Sequence, residues 1–502
     1  MNKAFLHFLS VLLLLGSNKS FAQVSALSIK KDFFKGSTAV TSVRLNTSEV
    51  AFVSNDSDRS VEIICTDNDF KHKWSAKVEG YYQNAARLGD NLLILVSTDF
   101  TLFTRANSTF KAYLLNYKNG NILKEKLLFE GNNEFLTVPY FMASKDHKSY
   151  SFAVRETTLK RTVKIAPGAL AAIYLKIKLN NQFNKQKTFN VLTFDESLEQ
   201  IEIVSPDLPA GQFIGIQRTI NNDLYTAVSE NKKGVTISRY LPGKDIPVKS
   251  VTEPYSYKGG VIGVDFLNEQ IKLIADTLNN HTVYITGAFK NGEDFIMLFN
   301  KYDFEKDQHK RFQKRYTKDE VKGIERSYTT VNKKFKKLSL APPKALELVD
   351  VIINDSGYFL VVSDFQYKPY DRMTKSQPLQ YSEGIIVYSL DKNMSVKTIS
   401  TIPRYYSGAV RADMKSYQKD NTLYIMAPHY GDAQFLLGKI NMINGKVEDI
   451  RLVSPDKSGS NDYPSLSTSM VSDNSIILPV LDYKAFVIGK IKFDVNMYRF
   501  GW

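Results

Sequence analysis

A single cysteine, Cys65, stands in a chain of 502 residues, so no internal disulfide can form and the fold must be held by its core. Two tryptophans are too few for a repeat punctuated by Trp-Asp pairs. Histidines number six, and no two of His72, His147, His281, His309 and His429 lie at metal-ligand spacing. There is no His-Glu-x-x-His and no Cys-x-x-Cys, so neither short zinc signature is present. A Gly-x-Ser-x-Gly elbow is absent, and Gly259, Gly260 and Gly263 match neither phosphate-cradling glycine fingerprint. Beyond the first 22 residues no apolar run approaches the roughly 20 residues needed to span a bilayer. From these absences no metal and no cofactor is expected.

The N-terminus carries a sharper signal. Lys3 precedes an apolar stretch over residues 4–16, and Ser20-Phe21-Ala22 places small residues at the spacing a signal peptidase reads. The reading is a signal peptide over residues 1–22, cleaved before Gln23. No cysteine follows the apolar run, which argues against a lipid anchor there. Residues 23–502 are therefore expected as an exported monomer without a transmembrane segment, in a periplasm or at the cell exterior. Such a length is ample for a disulfide-free core. Cys65 sits in the apolar run Val61-Glu62-Ile63-Ile64-Cys65 and reads as a buried, inert thiol.

What the chain does have is a loose repeat of short hairpins from about residue 38 to 491. First strands of the units are expected at Val40–Leu45, Tyr82–Leu88, Leu136–Ala143, Gln212–Thr219, Gln270–Ala275, Glu347–Ile353, Ser407–Met414 and Pro464–Val471. Most are followed by an apolar run such as Val50–Val53, Asn91–Val96, Leu224–Val228, Tyr358–Val362, Leu423–Ala427 or Ser475–Val480. Continuous apolar strands of this length indicate burial on both faces. Turn residues that tolerate positive φ or bond their own backbone come just before these runs, as in Gly89-Asp90-Asn91, Asn221-Asn222-Asp223 and Asp420-Asn421. Asn119-Gly120-Asn121 and Asn444-Gly445 close later hairpins of the same units.

A period near 55 residues, built of four buried strands, resembles the β-propeller superfamily in general and no particular member. The resemblance covers nearly the whole of residues 23–502. It implies an all-β fold, a single propeller of seven or eight four-stranded blades. Eight units fit the spacing; seven would hold if residues 136–204 or 255–301 were irregular. The last unit shows three clear strands, and the early stretch Leu27–Phe34 is the expected fourth, closing the ring.

Charge is uneven. The chain has a net charge of +14, and the leader carries Lys3 and Lys19 without an acid, which leaves +12. Residues 304–344 hold thirteen Lys or Arg against five Asp or Glu, two thirds of that excess. Within them Val321, Ile324, Tyr328, Val331, Phe335 and Leu338 follow a helical period, Thr317 and Glu320 form a capping box, and Pro342-Pro343 ends the pattern. One amphipathic α-helix inserted between two units is expected. Its lysines are either solvated or, with the preceding cations, gather a polyanion: Lys310, Arg311, Lys314, Arg315, Lys333, Lys334, Lys336 and Lys337. Nucleic acid is not expected of an exported chain without a nucleic-acid motif.

Aromatic residues in connections suggest a second surface. The loop through Phe365-Gln366-Tyr367-Lys368-Pro369-Tyr370-Asp371-Arg372 is long for a hairpin, and Arg404-Tyr405-Tyr406 lies nearby in sequence. Tyrosine offers an apolar face and a hydroxyl suited to a sugar or a peptide. Tyr367, Tyr370, Arg372, Arg404 and Tyr405 are the candidate binding residues. Ser54–Asp58 and Ser454–Asp462 carry oxygens without the full spaced set of a calcium loop and read as turns. The expectation is a non-catalytic scaffold that binds a partner protein or an anionic glycan. An enzyme acting on an extracellular polymer at the central pore is the alternative.

Overall fold

A computed structural model describes residues 22–501, except for 25, 38, 56–58, 99–108, 132–135, 158–185, 220, 231–233, 255–270, 277–278, 292–293, 317–344, 369–378, 409–413, 430–433, 454–461, 473–474 and 488–489. The chain is an eight-bladed β-propeller. Blade 1 is built from Ala39–Arg44, Glu49–Asn55, Ser60–Asp67 and His72–Glu79. Blade 2 follows with Tyr81–Leu88, Asn91–Ser97, Thr109–Asn116 and Ile122–Glu130. In blade 3 the strands are Leu136–Ala143, Ser149–Thr157, Gln186–Asp195 and Gln200–Val204. Gln212–Arg218, Leu224–Glu230, Gly234–Tyr240 and Lys249–Glu253 make blade 4. Blade 5 consists of Lys272–Ala275, Thr282–Asn291, Asp294–Asp303 and Gln308–Tyr316. Blade 6 has the longer strands Ala345–Asn354, Gly357–Lys368, Leu379–Leu390 and Val396–Gly408. Lys415–Lys419, Thr422–His429, Gln434–Asn441 and Val447–Val453 form blade 7. Each of these seven blades pairs its strands antiparallel in chain order, first strand innermost.

Blade 8 joins the two ends of the chain. Its inner edge is split between Asp462–Pro464 and Met470–Ser472, separated by a 3₁₀ turn at Leu466–Thr468, and its middle strands are Ser475–Val487 and Lys490–Gly501. The outer strand is Ala26–Ser37, which runs antiparallel to the C-terminal strand with Ile29 opposite Tyr498 and Phe34 opposite Val495. The expected closure by the early strand is thus realised. Ala22–Val24 continues outward and pairs in parallel with the outer strand of blade 7, Gln23 opposite Leu452.

The apolar runs are explained by how blades stack. In blade 2, Leu92, Ile94 and Val96 join the cluster shared with blade 1, while Leu93 and Leu95 join the one shared with blade 3. Alternate residues of one strand therefore serve two neighbouring cores. Among the described residues there are eight such clusters, one at each blade interface. Full burial of each Leu, Ile or Phe in them contributes roughly 1.5–3 kcal/mol. Outer strands lie half in water, as the alternating exposure of His72–Glu79 and Gln308–Tyr316 shows.

Three sequence expectations shift. The inner edge of blade 8, expected as one strand over Pro464–Val471, is broken by the 3₁₀ turn at Leu466–Thr468. The first strand of blade 7 is Lys415–Lys419, not Ser407–Met414; Ser407 belongs to the outer strand of blade 6. Lys415-Ser416-Tyr417-Gln418-Lys419 has almost no apolar character, and the more apolar stretch before it drew the assignment. The basic insertion also starts later than 304, because Gln308–Tyr316 is the outer strand of blade 5. The expected helix over 317–344 lies outside the described residues.

Candidate functional site

Strand order fixes which connections share a face. Links from first to second and from third to fourth strands emerge on one face of the ring; links from second to third strands, and from one blade to the next, emerge on the other. The first face carries short links, the longest being the eight residues between Tyr240 and Lys249. In three blades the third-to-fourth turn has one design: the carboxylates of Asp67, Asp195 and Asp391 accept the N–H groups two and four residues on, at 2.8–2.9 Å. Three residues after each Asp, Phe70, Leu198 and Met394 are buried with left-handed φ of 64°, 59° and 66°. In blades 2 and 7 a glycine takes that conformation, Gly120 at 74° and Gly445 at 67°. All the long connections lie on the opposite face: those between Ser97 and Thr109, Thr157 and Gln186, Glu253 and Lys272, Tyr316 and Ala345, and Lys368 and Leu379.

The expected binding residues map to this second face. Tyr367 is near the end of the second strand of blade 6, in register with Gln380, and Arg404 and Tyr405 lie towards the same end of its outer strand. Tyr370 and Arg372 fall outside the described residues, as do Lys333, Lys334, Lys336 and Lys337. Topology therefore gathers the aromatic loop of blade 6 and the connection that carries the basic segment, between blades 5 and 6, at one sector.

Side-chain geometry divides these residues. Arg404 is 2% exposed. Its Nε donates to Ser382 Oγ at 2.9 Å and its Nη2 to Ser363 Oγ at 2.9 Å, so it clamps the three outer strands of blade 6 together. Its charge, with burial, holds the nearby His429 of blade 7 neutral; desolvation is the larger cause, and the imidazole is pushed down to about 4. Among the blade 5 cations, Arg311 is neutralised internally: Nη2 lies 2.9 Å from Glu253 Oε1, and Glu253 is almost wholly buried. His309 stands 3.3 Å from the same carboxylate, stacked on Tyr302, whose hydroxyl also bonds it. Lys310 donates to Asn393 Oδ1 of blade 6 at 2.8 Å, and Lys314 sits over the Tyr316 ring at 5.2 Å. Arg315 is exposed on the outer strand.

Several charged groups that pattern reading passed over bridge blades. Arg218 of blade 4 reaches into blade 3, where it pairs with Glu202 and donates to Thr193 and, at 3.2 Å, to Ser151. Arg239 pairs with the buried Asp223 at 2.6 Å and approaches His281 Nδ1 of blade 5 at 3.1 Å. Nearer the axis, Asp350 feels Lys272 of blade 5 and Lys415 of blade 7, and burial, the dominant influence, raises its carboxyl above the ordinary range. Among the described residues no group of three or more His, Cys, Asp or Glu is placed to hold a metal ion.

Neither family models nor curated proteins match the sequence. Solved structures do. The WD40 domain of SCAP from fission yeast is 10% identical, with 95% of this chain and 98% of that one covered at a TM-score of 0.38. BamB from Moraxella catarrhalis is 8% identical over 96% and 100%, TM-score 0.37. Oligogalacturonate lyase from Vibrio parahaemolyticus is 9% identical over 95% and 98%, TM-score 0.37. The propeller assignment rests on this chain's own strand pairing.

Proposed function

We propose that the protein is an exported, non-catalytic propeller scaffold that binds a partner protein or an anionic glycan through its loop-rich face and basic segment. The observation that carries this reading is the asymmetry of the two faces. One is trimmed to turns held by side-chain and backbone hydrogen bonds, and the other receives all the long connections, together with the basic segment and the tyrosine-bearing loop of blade 6. Long connections on a rigid scaffold are where binding residues concentrate. The connection over residues 317–344, with eight Lys or Arg against three Asp or Glu, brings a net charge of +5 to that face, a field that attracts polyanions.

The test is retention of residues 23–502 on immobilised heparin, alongside capture of partners from the host's envelope fraction. Retention that weakens as salt rises, and that drops when Lys333, Lys334, Lys336 and Lys337 are together replaced by Gln, supports the reading. A chain that passes through the column unretarded and captures nothing overturns it.

A further inference from the structure

We infer that His309 gates Arg311 on the outer strand of blade 5, withholding its guanidinium at neutral pH and releasing it to an anionic saccharide in acid. This names a regulation of the polyanion surface proposed above and rests on that reading. Arg311 belongs to that surface by position, yet its charge is spent inside the molecule. Its Nη2 reaches both oxygens of Glu253, at 2.9 and 3.0 Å; the Glu253 side chain is 5% exposed and that of Arg311 50%. Phe312 turns into the core shared with blade 6, so Arg311 and Arg315, on the alternate positions, share the side of the strand towards blade 4.

The gate is one nitrogen with two neighbours. Arg311 Nε donates to His309 Nε2 at 3.1 Å, and the same Nε2 lies 3.3 Å from Glu253 Oε2. It cannot serve both at once: accepting from Arg311 needs a bare lone pair, and donating to Glu253 needs a proton on that nitrogen. Tyr302 donates its hydroxyl to Glu253 Oε2 and stacks its ring on the imidazole at 4.6 Å, which holds carboxylate and ring in place. Once Nε2 is protonated, His309 takes the Glu253 contact, loses the bond from Arg311 Nε and sets a second positive charge against the guanidinium. Arg311, half in water, is then the member that swings out. The buried carboxylate keeps one cation in either arrangement, so the exchange strands no buried charge. The charged groups that act on His309 are Glu253 from blade 4 and Arg311 from its own strand. Burial, the largest influence, moves its titration below the ordinary 6.5; Glu253 opposes this and Arg311 adds to it. Lys249 of blade 4 and Asp307 at the start of the same hairpin arm pair with each other at 2.5 Å. The gate is therefore shut at neutral pH and opens as pH falls below 6.5.

Isothermal titration of residues 23–502 with a heparin-derived hexasaccharide, at about pH 7.5 and about pH 5.5 and one ionic strength, tests the gate. Every variant gains some affinity in acid as other histidines charge. Wild type should gain about fivefold more than His309→Phe, the worth of one added cation at a polyanionic surface. Phenylalanine keeps a ring on Tyr302 and offers no nitrogen. Glu253→Gln removes the charge that holds Arg311, so at neutral pH it should bind about fivefold more tightly than wild type. Equal gains in wild type and His309→Phe overturn the gate, and so does a folded Glu253→Gln chain that binds no more tightly than wild type at neutral pH. The proton itself is followed by NMR of the histidine-labelled chain. Arg311→Ala removes the competing donor and a like charge, so His309 should titrate at higher pH than in wild type; an unchanged titration overturns the gate as well. A wild-type chain that shows this titration shift but ignores the hexasaccharide at both pH values overturns the polyanion reading, and with it the saccharide as the recipient of Arg311, while the exchange at His309 stands.

Discussion

Buried titratable side chains decide how this molecule responds to acid. His429 is 5% exposed, and burial with the Arg404 charge holds its folded-state value at about 4 against an ordinary 6.5. The folded state thus resists a proton that the unfolded chain accepts. Stability from this residue is complete above about pH 6.5 and is lost as pH falls towards and through 4. Between pH 7 and pH 5 the loss should be about 2 kcal/mol, read from urea unfolding midpoints, and His429→Gln should flatten that slope. If wild type and variant lose stability in parallel, the acid response belongs elsewhere. None of this was legible in the sequence, where His429 is one of several isolated histidines; its neighbour Arg404 lies on another blade. Phe70, Leu198 and Met394 were hidden for a different reason. Each reads as an ordinary core residue, and only the Asp three places before each one, repeated from blade to blade, betrays the turn. Asn119-Gly120 and Asn444-Gly445 were legible because glycine declares its conformational freedom openly.

Strands of this fold are recognised by burial on two faces, which is why runs such as Asn91–Val96 and Leu423–Ala427 stood out. Lys415–Lys419 escaped for the converse reason: an axial strand can be short and polar when its backbone pairing and its neighbours position it. Contacts between blades are carried by residues far apart in the chain, so spacing says nothing of them. Arg218 and Glu202 illustrate this. Their side chains are 6% and 13% exposed, and the pair ties the inner strand of blade 4 to the outer strand of blade 3. Arg218→Ala strands a largely buried carboxylate and should cost about 3–5 kcal/mol in chemical denaturation. Changing Glu202→Gln in the same chain should recover much of that loss, since the stranded charge is then gone. A single substitution costing no more than an exposed ion pair, under about 1 kcal/mol, would show that the bridge is ornamental.

Closure belongs to the whole ring. Ala26–Ser37 covers the edge of Lys490–Gly501, and Phe34 seats in the core shared by blades 8 and 1. A chain lacking residues 23–37 should expose that edge, unfold at a lower temperature and self-associate, as light scattering would report. Supplying the missing strand as a peptide should restore a monomer; a truncated chain as stable and monomeric as the full one would refute closure as the source of stability. The face asymmetry, in contrast, follows from topology once strand order is known, and the lengths of the connections were already visible in the sequence. Closure also sets a timetable. The amide of Asp32 bonds to Asn496 across 464 residues of chain. Of these two paired strands the one made earlier must therefore wait for the later, and contacts this distant in sequence form late and slowly. Until the strand Lys490–Gly501 has been made, a nascent ring stays unlocked, its earliest strand idle and its last edge open.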